Sequence, residues 1–205
     1  MPISAKKSIN NLSEEIKACK KCLDLVKTRK QPVAGIGAYN ARLIIAGYYP
    51  TPEGTEKSGI PFNNDEEGVI IRSAIEKAGL SIEEDVFLTY VVKCTPRKSG
   101  KITNLIKPLE KHIDNCINYL TEEISIITPH LIVSLGISTT KIILDKFFSV
   151  EKRIDNMALL HMRVFENPSF KLVPFFSPKA VITGTISEEK YLDDFKKLSK
   201  LAKIV

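Results

Sequence analysis

The sequence predicts a single α/β domain of three layers, with helices on both faces of a central four-stranded, mostly parallel sheet. Three observations predict it. Four short runs are apolar without alternation: residues 42–47 (RLIIAG), 86–94 (VFLTYVVKC), 131–136 (LIVSLG) and 171–176 (KLVPFF). Such runs suit strands buried on both faces, as in a parallel sheet. Segments with helical spacing separate them, and strands alternating with helices build layered α/β domains. The 205 residues are enough for one buried core and contain no internal repeat.

The elements follow in order. Residues 1–10 are polar and hold no signal-peptide apolar stretch. Residues 49–65 carry Pro, Gly, Thr, Ser and Asn and read as a long loop after the first strand. Loops at that end of an open sheet are where sites are built. Residues 67–78 read as a helix closed by Gly79. Residues 104–127 are amphipathic and stop before Pro129, with Pro108 in the first turn or interrupting it. Residues 139–148 form the next helix, and Ser187 before two glutamates opens the last one. Gly35 and Gly37 precede a strand instead of following one, so they mark a turn and not a dinucleotide loop. His112, in the long charged helix, is expected to be a surface or capping residue.

Composition narrows the function classes. Hydrophobic residues make up 43% and charged residues 26%, as in ordinary soluble domains. No apolar run approaches the roughly 20 residues that span a bilayer, so a cytoplasmic protein is expected. Abundant Lys and Ile and no Trp match a heat-adapted source. The net charge is +6. Basic residues gather at Lys6, Lys7, Lys17, Lys20, Lys21, Lys27, Arg29 and Lys30, and again at Lys93, Arg97, Lys98 and Lys101. Such clusters suit an anionic partner, nucleic acid first, with a solvated lysine-rich face as the plainer alternative.

The four cysteines are Cys19, Cys22, Cys94 and Cys116. The first two form a C-x2-C pair. Four thiolates can hold one iron–sulfur cluster or one zinc ion. Disulfides, a redox pair or unrelated buried thiols are the alternatives. Cys94 at a strand end and Cys116 on the following helix could both converge on the N-terminal segment.

The order of motifs resembles the uracil-DNA glycosylase superfamily, specifically its iron–sulfur family 4 with the related family 5. The resemblance starts with Ala18-Cys-Lys-Lys-Cys-Leu23, Arg29 and Val33-Ala-Gly-Ile-Gly37. It continues through Ala41-Arg-Leu-Ile-Ile-Ala-Gly47, Ser58-Gly-Ile-Pro-Phe62, Ala78-Gly-Leu80, Asp85-Val-Phe-Leu-Thr89 and Val91-Val-Lys-Cys-Thr-Pro96. Cys116-Ile-Asn-Tyr-Leu120, Leu131-Ile-Val-Ser-Leu-Gly136 and His161-Met-Arg-Val-Phe-Glu166 complete it. The stretch between Cys94 and Cys116 is longer than the family's usual one. The resemblance implies a [4Fe–4S] cluster on Cys19, Cys22, Cys94 and Cys116, in preference to zinc.

It also implies a base-excision site with four parts, of which this chain keeps one. In the resembled family an acid after the first-strand glycine handles water, a Phe stacks on uracil, an Asn reads it, and a His stabilises the leaving base. Phe62 stands at the stacking position. Tyr48 replaces the acid, Tyr90 the Asn and Ser177 the His. A tyrosine, with an ordinary pKa near about 10, is a poor base at neutral pH, and a serine lacks the imidazole that can carry charge. The expected base pocket comprises Phe62, Tyr48, Tyr49, Pro50, Asn63 and Tyr90, filled by its own side chains. The expectation is an iron–sulfur DNA-binding protein without ordinary uracil excision. The alternative is an active glycosylase of altered specificity, compensated from Glu53, Glu56, Asp65, Asn63 or Asn64. Lys179, Arg163 and Lys98 are the candidate DNA contacts. A monomer that works with repair or replication proteins completes the expectation.

Overall fold

The computed structural model of the chain describes residues 2–63, 65–98, 104–149 and 155–203. Asn64 and Lys101 lie outside the described residues. The elements run α1 (Pro2–Ala18), α2 (Leu23–Val26), β1 (Ile36–Gly37), β2 (Leu43–Gly47), α3 (Thr55–Ser58), α4 (Glu66–Lys77), β3 (Val86–Tyr90) and α5 (Glu110–Ile127). Then follow β4 (Leu131–Leu135), α6 (Ile137–Phe148), α7 (Met157–Leu160), β5 (Phe165–Glu166), β6 (Lys171–Phe175), α8 (Pro178–Ile182) and α9 (Glu188–Lys203). No helix among the described residues is long and apolar enough to cross a membrane.

The sheet has the order β1-β3-β2-β4-β6-β5. Its four central strands are parallel, as the apolar runs predict. Two-residue strands add antiparallel edges at each side. One of them is Ile36–Gly37, so Gly37 enters the sheet where the sequence predicts a turn, and Gly35 stays outside it. Gly37 sits at φ 137° with a Cβ position only 2.1 Å from the Val86 carbonyl oxygen, which a side chain could not occupy. Pro174 is tolerated because β5 pairs only with Lys171 and Leu172.

Alternation along β2 builds the three layers. Leu43 and Ile45 face one core with Ile71, Ala74 and Ile75 of α4 and Tyr191, Phe195 and Leu198 of α9. Ile44 and Ala46 face the other with Ile117, Leu120 and Ile124 of α5 and Ile143 and Leu144 of α6. The N-terminus forms a helix where its polar residues predict none. It is stable because Leu12 and Ile16, four apart, pack on Tyr119 of α5. Helix α5 starts at Glu110, later than the amphipathic pattern, since Pro108 lies before it. His112 is buried and not on the surface, and of the two expected roles it fills capping. Its Nδ1 accepts the Leu109 N–H at 3.2 Å, and its Nε2 lies 2.9 Å from Asp24 on α2.

One buried ion pair sets the chain after β3. Lys93 Nζ meets Glu123 of α5 at 2.7 Å and donates to Thr89 Oγ1 at 2.6 Å, and Thr89 donates to Glu123 at 2.7 Å. Both charged side chains are almost fully buried. Breaking such a pair leaves a buried charge uncompensated, at a cost of about 3–5 kcal/mol. Glu123→Gln is therefore expected to lower the unfolding free energy by about that amount in urea titrations, while a surface change such as Glu14→Gln leaves it within about 0.5 kcal/mol.

Candidate functional site

The chain leaves β2 for β3 on one side of it and later returns to β4 on the other. This reversal opens a crevice at the carboxyl ends of the strands. A cavity of about 320 Å³ occupies it, within the lower range for small-ligand sites. Gly47, Tyr48 and Tyr49 form one wall after β2; Gly136 to Thr139 form another at the start of α6. Phe62, Tyr90 and Glu67 lie on the third side, and Ser177, Pro178 and Lys179 close the fourth.

Tyr90 and Phe62 make the floor. Their rings are 4.7 Å apart at 31°, and each residue is only 3% exposed. Both press on Gly47, where a Cβ would come within 2.7 Å of the Tyr90 ring and 2.8 Å of Phe62. Phe62 adopts φ 50°, a left-handed conformation that is costly outside glycine. Hydrogen bonds hold it there. Its N–H donates to Tyr90 Oη at 3.1 Å, and Arg72 Nε donates to its carbonyl at 2.8 Å. Because a backbone N–H only donates, the phenol proton points onward to Thr55 Oγ1, 3.3 Å away. Thr55 in turn donates to Asp65 Oδ2 at 3.2 Å. Burial, the largest influence, pushes the Tyr90 phenol far above its ordinary 10, so it stays neutral.

Tyr48 and Tyr49 sit half-buried with rings 5.2 Å apart. Burial raises both pKa values; Tyr49 also feels Glu67. Of the predicted pocket residues, Tyr48, Tyr49, Phe62 and Tyr90 line the cavity; Pro50 and Asn63 lie outside its lining. Pro50 is buried and its carbonyl accepts from Thr95 Oγ1 at 2.9 Å. The structure also corrects the expectation of a filled pocket. Tyr90 covers Phe62, but Tyr48 and Ser177 border open space.

The acids named from the loop have other work. Glu56 is buried and ion-paired with Arg97, and accepts the Lys30 N–H at 3.1 Å. Asp65 caps α4 by accepting the Gly68 N–H at 2.6 Å and takes the Thr51 hydroxyl as well. Glu53 is exposed. The carboxylate on the cavity wall is Glu67, which no motif in the sequence singles out. Burial, then neighbouring Asp65, raises its pKa, and Lys179 across the cavity opposes them. The run Asp65-Glu66-Glu67 reads in sequence as an acidic helix start. Which of the three faces inward depends on how α4 is rotated.

The cysteine quartet lies elsewhere, between the N-terminal segment and the exit of β3. All four thiols are free; Cys22, Cys94 and Cys116 are buried and Cys19 is partly exposed. Cys22 and Cys94 pack around Leu25. Arg29 donates to Cys94 Sγ at 2.9 Å and to the Cys19 carbonyl. Asn115 donates to Cys22 Sγ at 3.4 Å. Burial pushes the Cys94 thiol up to about 12 against the pull of Arg29, with Cys116 and Cys19 adding to it. Cys116 is raised by burial, and Cys22 and Cys19 also push on it. Each of these two buried thiols thus senses others of the set. No group of three His, Cys, Asp or Glu among the described residues is placed to hold a single metal ion. Of the predicted DNA contacts, Lys179 is exposed on the cavity wall, whereas Arg163 and Lys98 are exposed away from it.

The comparisons agree with this architecture. The family model described as "Uracil DNA glycosylase superfamily" matches residues 34–198. The chain is 29% identical over 198 residues to a type-4 uracil-DNA glycosylase of Archaeoglobus fulgidus, covering 95% of this chain and 93% of that protein. It is 31% identical to the type-4 enzyme of Sulfurisphaera tokodaii, covering 95% and 85%. A type-5 uracil-DNA glycosylase of Pyrobaculum aerophilum is 29% identical over 118 residues, covering 52% of this chain and 49% of that protein. A parallel sheet with its crevice beside β2, matched across most of its length by one family, makes the chain a member of the uracil DNA glycosylase superfamily.

Proposed function

We propose that this chain is an iron–sulfur DNA-binding protein of DNA repair that does not excise uracil by its relatives' route. One observation carries the proposal: the Tyr90 ring lies on Phe62 with its hydroxyl engaged by Phe62 N–H and Thr55. A base stacked on Phe62 and read from the β3 end would need that space. The other two replaced positions support the same reading. Tyr48 is a neutral phenol, and Ser177 brings no imidazole to a departing base. Lys179 at the cavity mouth and the net charge of +6 suit a phosphate backbone. Repair or replication proteins are the partners such a DNA-bound module would serve.

The quartet of Cys19, Cys22, Cys94 and Cys116 suits a [4Fe–4S] cluster. A lone zinc ion needs its sulfurs about 2.3 Å from one point, whereas a four-iron cluster spreads its four thiolates around a larger body. Arg29 and Asn115 already direct N–H groups at two of the sulfurs. The bound cluster supplies a structural cross-link. The residues around it hold α2, the exit of β3 and α5 together.

A second reading rests on the open cavity with Glu67 on its wall. Glu67 could orient a water and take its proton as the water oxygen bonds to the sugar C1′. The C1′–N bond breaks, and the base leaves with its electron pair and is then protonated.

Gel assays for base release separate the readings. The chain is expected to leave uracil in place in single- and double-stranded DNA; uracil release would overturn the proposal. Release of another damaged base, abolished by Glu67→Gln, would establish the second reading. Binding to duplex is expected to weaken by about tenfold or more between about 50 and 200 mM salt. Iron analysis is expected to give about four atoms per chain, lost in Cys94→Ser.

Glu67→Gln also has a stability signature. A raised carboxyl pKa means that the folded state holds a proton the unfolded chain has released. Stability therefore falls as pH rises from the ordinary 4.5 through the folded value. Glu67→Gln is expected to raise the urea midpoint at neutral pH, the gain vanishing below 4.5.

A further inference from the structure

We propose that His161 is a positioning residue that, as the neutral Nε2–H tautomer, holds the wall of the cavity at residues 176–178 and releases it in acid. The inference rests on the DNA-binding reading above for its functional consequence. His161 lies between α7 and β5, outside the cavity. Its Nδ1 lies 3.3 Å from the Phe176 backbone nitrogen, and its Nε2 lies 3.1 Å from Asp194 Oδ2 on α9. A backbone N–H can only donate, so Nδ1 must be the bare acceptor. The ring proton then sits on Nε2 and is donated to Asp194. Only one protonation state and one tautomer satisfy both partners.

The surroundings keep that state. The ring packs against Phe175 at 4.5 Å and Phe176 at 4.7 Å, centroid to centroid. Lys190 at 2.5 Å and Lys197 at 2.7 Å, both on α9, already neutralise Asp194. Burial pushes Asp194 up, but its hydrogen bonds from Lys190, Lys197 and His161 outweigh that and hold it at about 2. Asp194 thus remains a carboxylate throughout. Burial pushes His161 below the ordinary 6.5, Asp194 pulls it back in part, and Lys190 and Lys197 add to the push. The ring is neutral at neutral pH.

Acid has one place to add a proton, Nδ1. That puts an N–H against the Phe176 N–H and breaks the bond. The next two residues, Ser177 and Pro178, line the cavity, and Lys179 follows at its mouth. Because the folded pKa is lowered, the bond is complete above 6.5 and is lost as pH falls below it.

The test follows the Phe176 amide and DNA affinity together, using a duplex that carries one uracil. In the unaltered chain, nitrogen NMR is expected to show Nε2 protonated and Nδ1 bare at neutral pH; the opposite tautomer overturns the proposal. Corrected for intrinsic exchange, Phe176 amide protection is expected to hold above 6.5 and to fall as the pH drops below it, with duplex affinity dropping about fivefold, as loss of one hydrogen bond implies. His161→Gln keeps an acceptor and a donor but cannot titrate, so both profiles should flatten. An identical acid response in His161→Gln, or no response in the unaltered chain, overturns the proposal. Absence of duplex binding at any pH would instead overturn the DNA-binding reading, and Phe176 protection alone would then decide the role of His161.

Discussion

The floor of the cavity is organised by the contact of the Tyr90 ring with Phe62 above Gly47. Three features depend on it. Gly47 must lack a side chain because both rings come within 2.8 Å of where its Cβ would be. Phe62 can hold φ 50° because the Tyr90 hydroxyl takes its N–H. The loop before it is tied in turn, since the phenol proton passes to Thr55 and the Thr55 proton to Asp65, which caps α4. A polar chain that begins at a strained backbone and ends at a helix N-cap leaves no donor unmet. It also makes Tyr90 a strut between the loop and the sheet. The cavity in front of it survives because Tyr48 and Ser177 do not reach across.

One buried ion pair joins the pocket loop to the segments around the cysteine quartet, and a second ties two of those segments together. Glu56, in the pocket loop, pairs with Arg97 and accepts the Lys30 N–H; Arg97 also donates to the Thr28 carbonyl at 2.7 Å. Lys93, beside Cys94, pairs with Glu123 two turns beyond Cys116 on α5. Such pairs add little net stability over apolar packing, but their partners cannot be separated cheaply. The N-terminal segment, the β3 exit and the pocket loop are therefore held in one frame. A cluster on the four thiols would reinforce a frame whose charges are already matched.

Particular residues show how far the sequence could be read. The four parallel strands were legible because strands buried on both faces lose alternation, and 42–47 and 131–136 show that pattern plainly. The strand at 86–94 reads too long: the register with β2 ends at Tyr90, the Val91 and Val92 N–H groups still donate to the Gly47 and Tyr48 carbonyls, and Lys93 and Cys94 lead on to the quartet. The first helix was missed because its apolar residues are sparse and its partner, Tyr119, is more than a hundred positions away. Glu56, Asp65 and Glu67 are chemically similar, and their separate tasks follow from Arg97, Thr55 and the cavity, none of which is adjacent in sequence.

The sequence by itself determined what depends on residue type and local period: an α/β sheet, four cysteines in a recognisable order, and the identities of Phe62, Tyr48, Tyr90 and Ser177. Tertiary structure alone decided which of those groups meet. Whether two tyrosines fill a pocket or border one is a matter of ring placement over a few ångströms, set by packing from four separate segments. The same holds for the histidine proton, whose position is dictated by a backbone amide fifteen residues away. Local chemistry is written along the chain, but proximity arises only when distant segments are packed against one another.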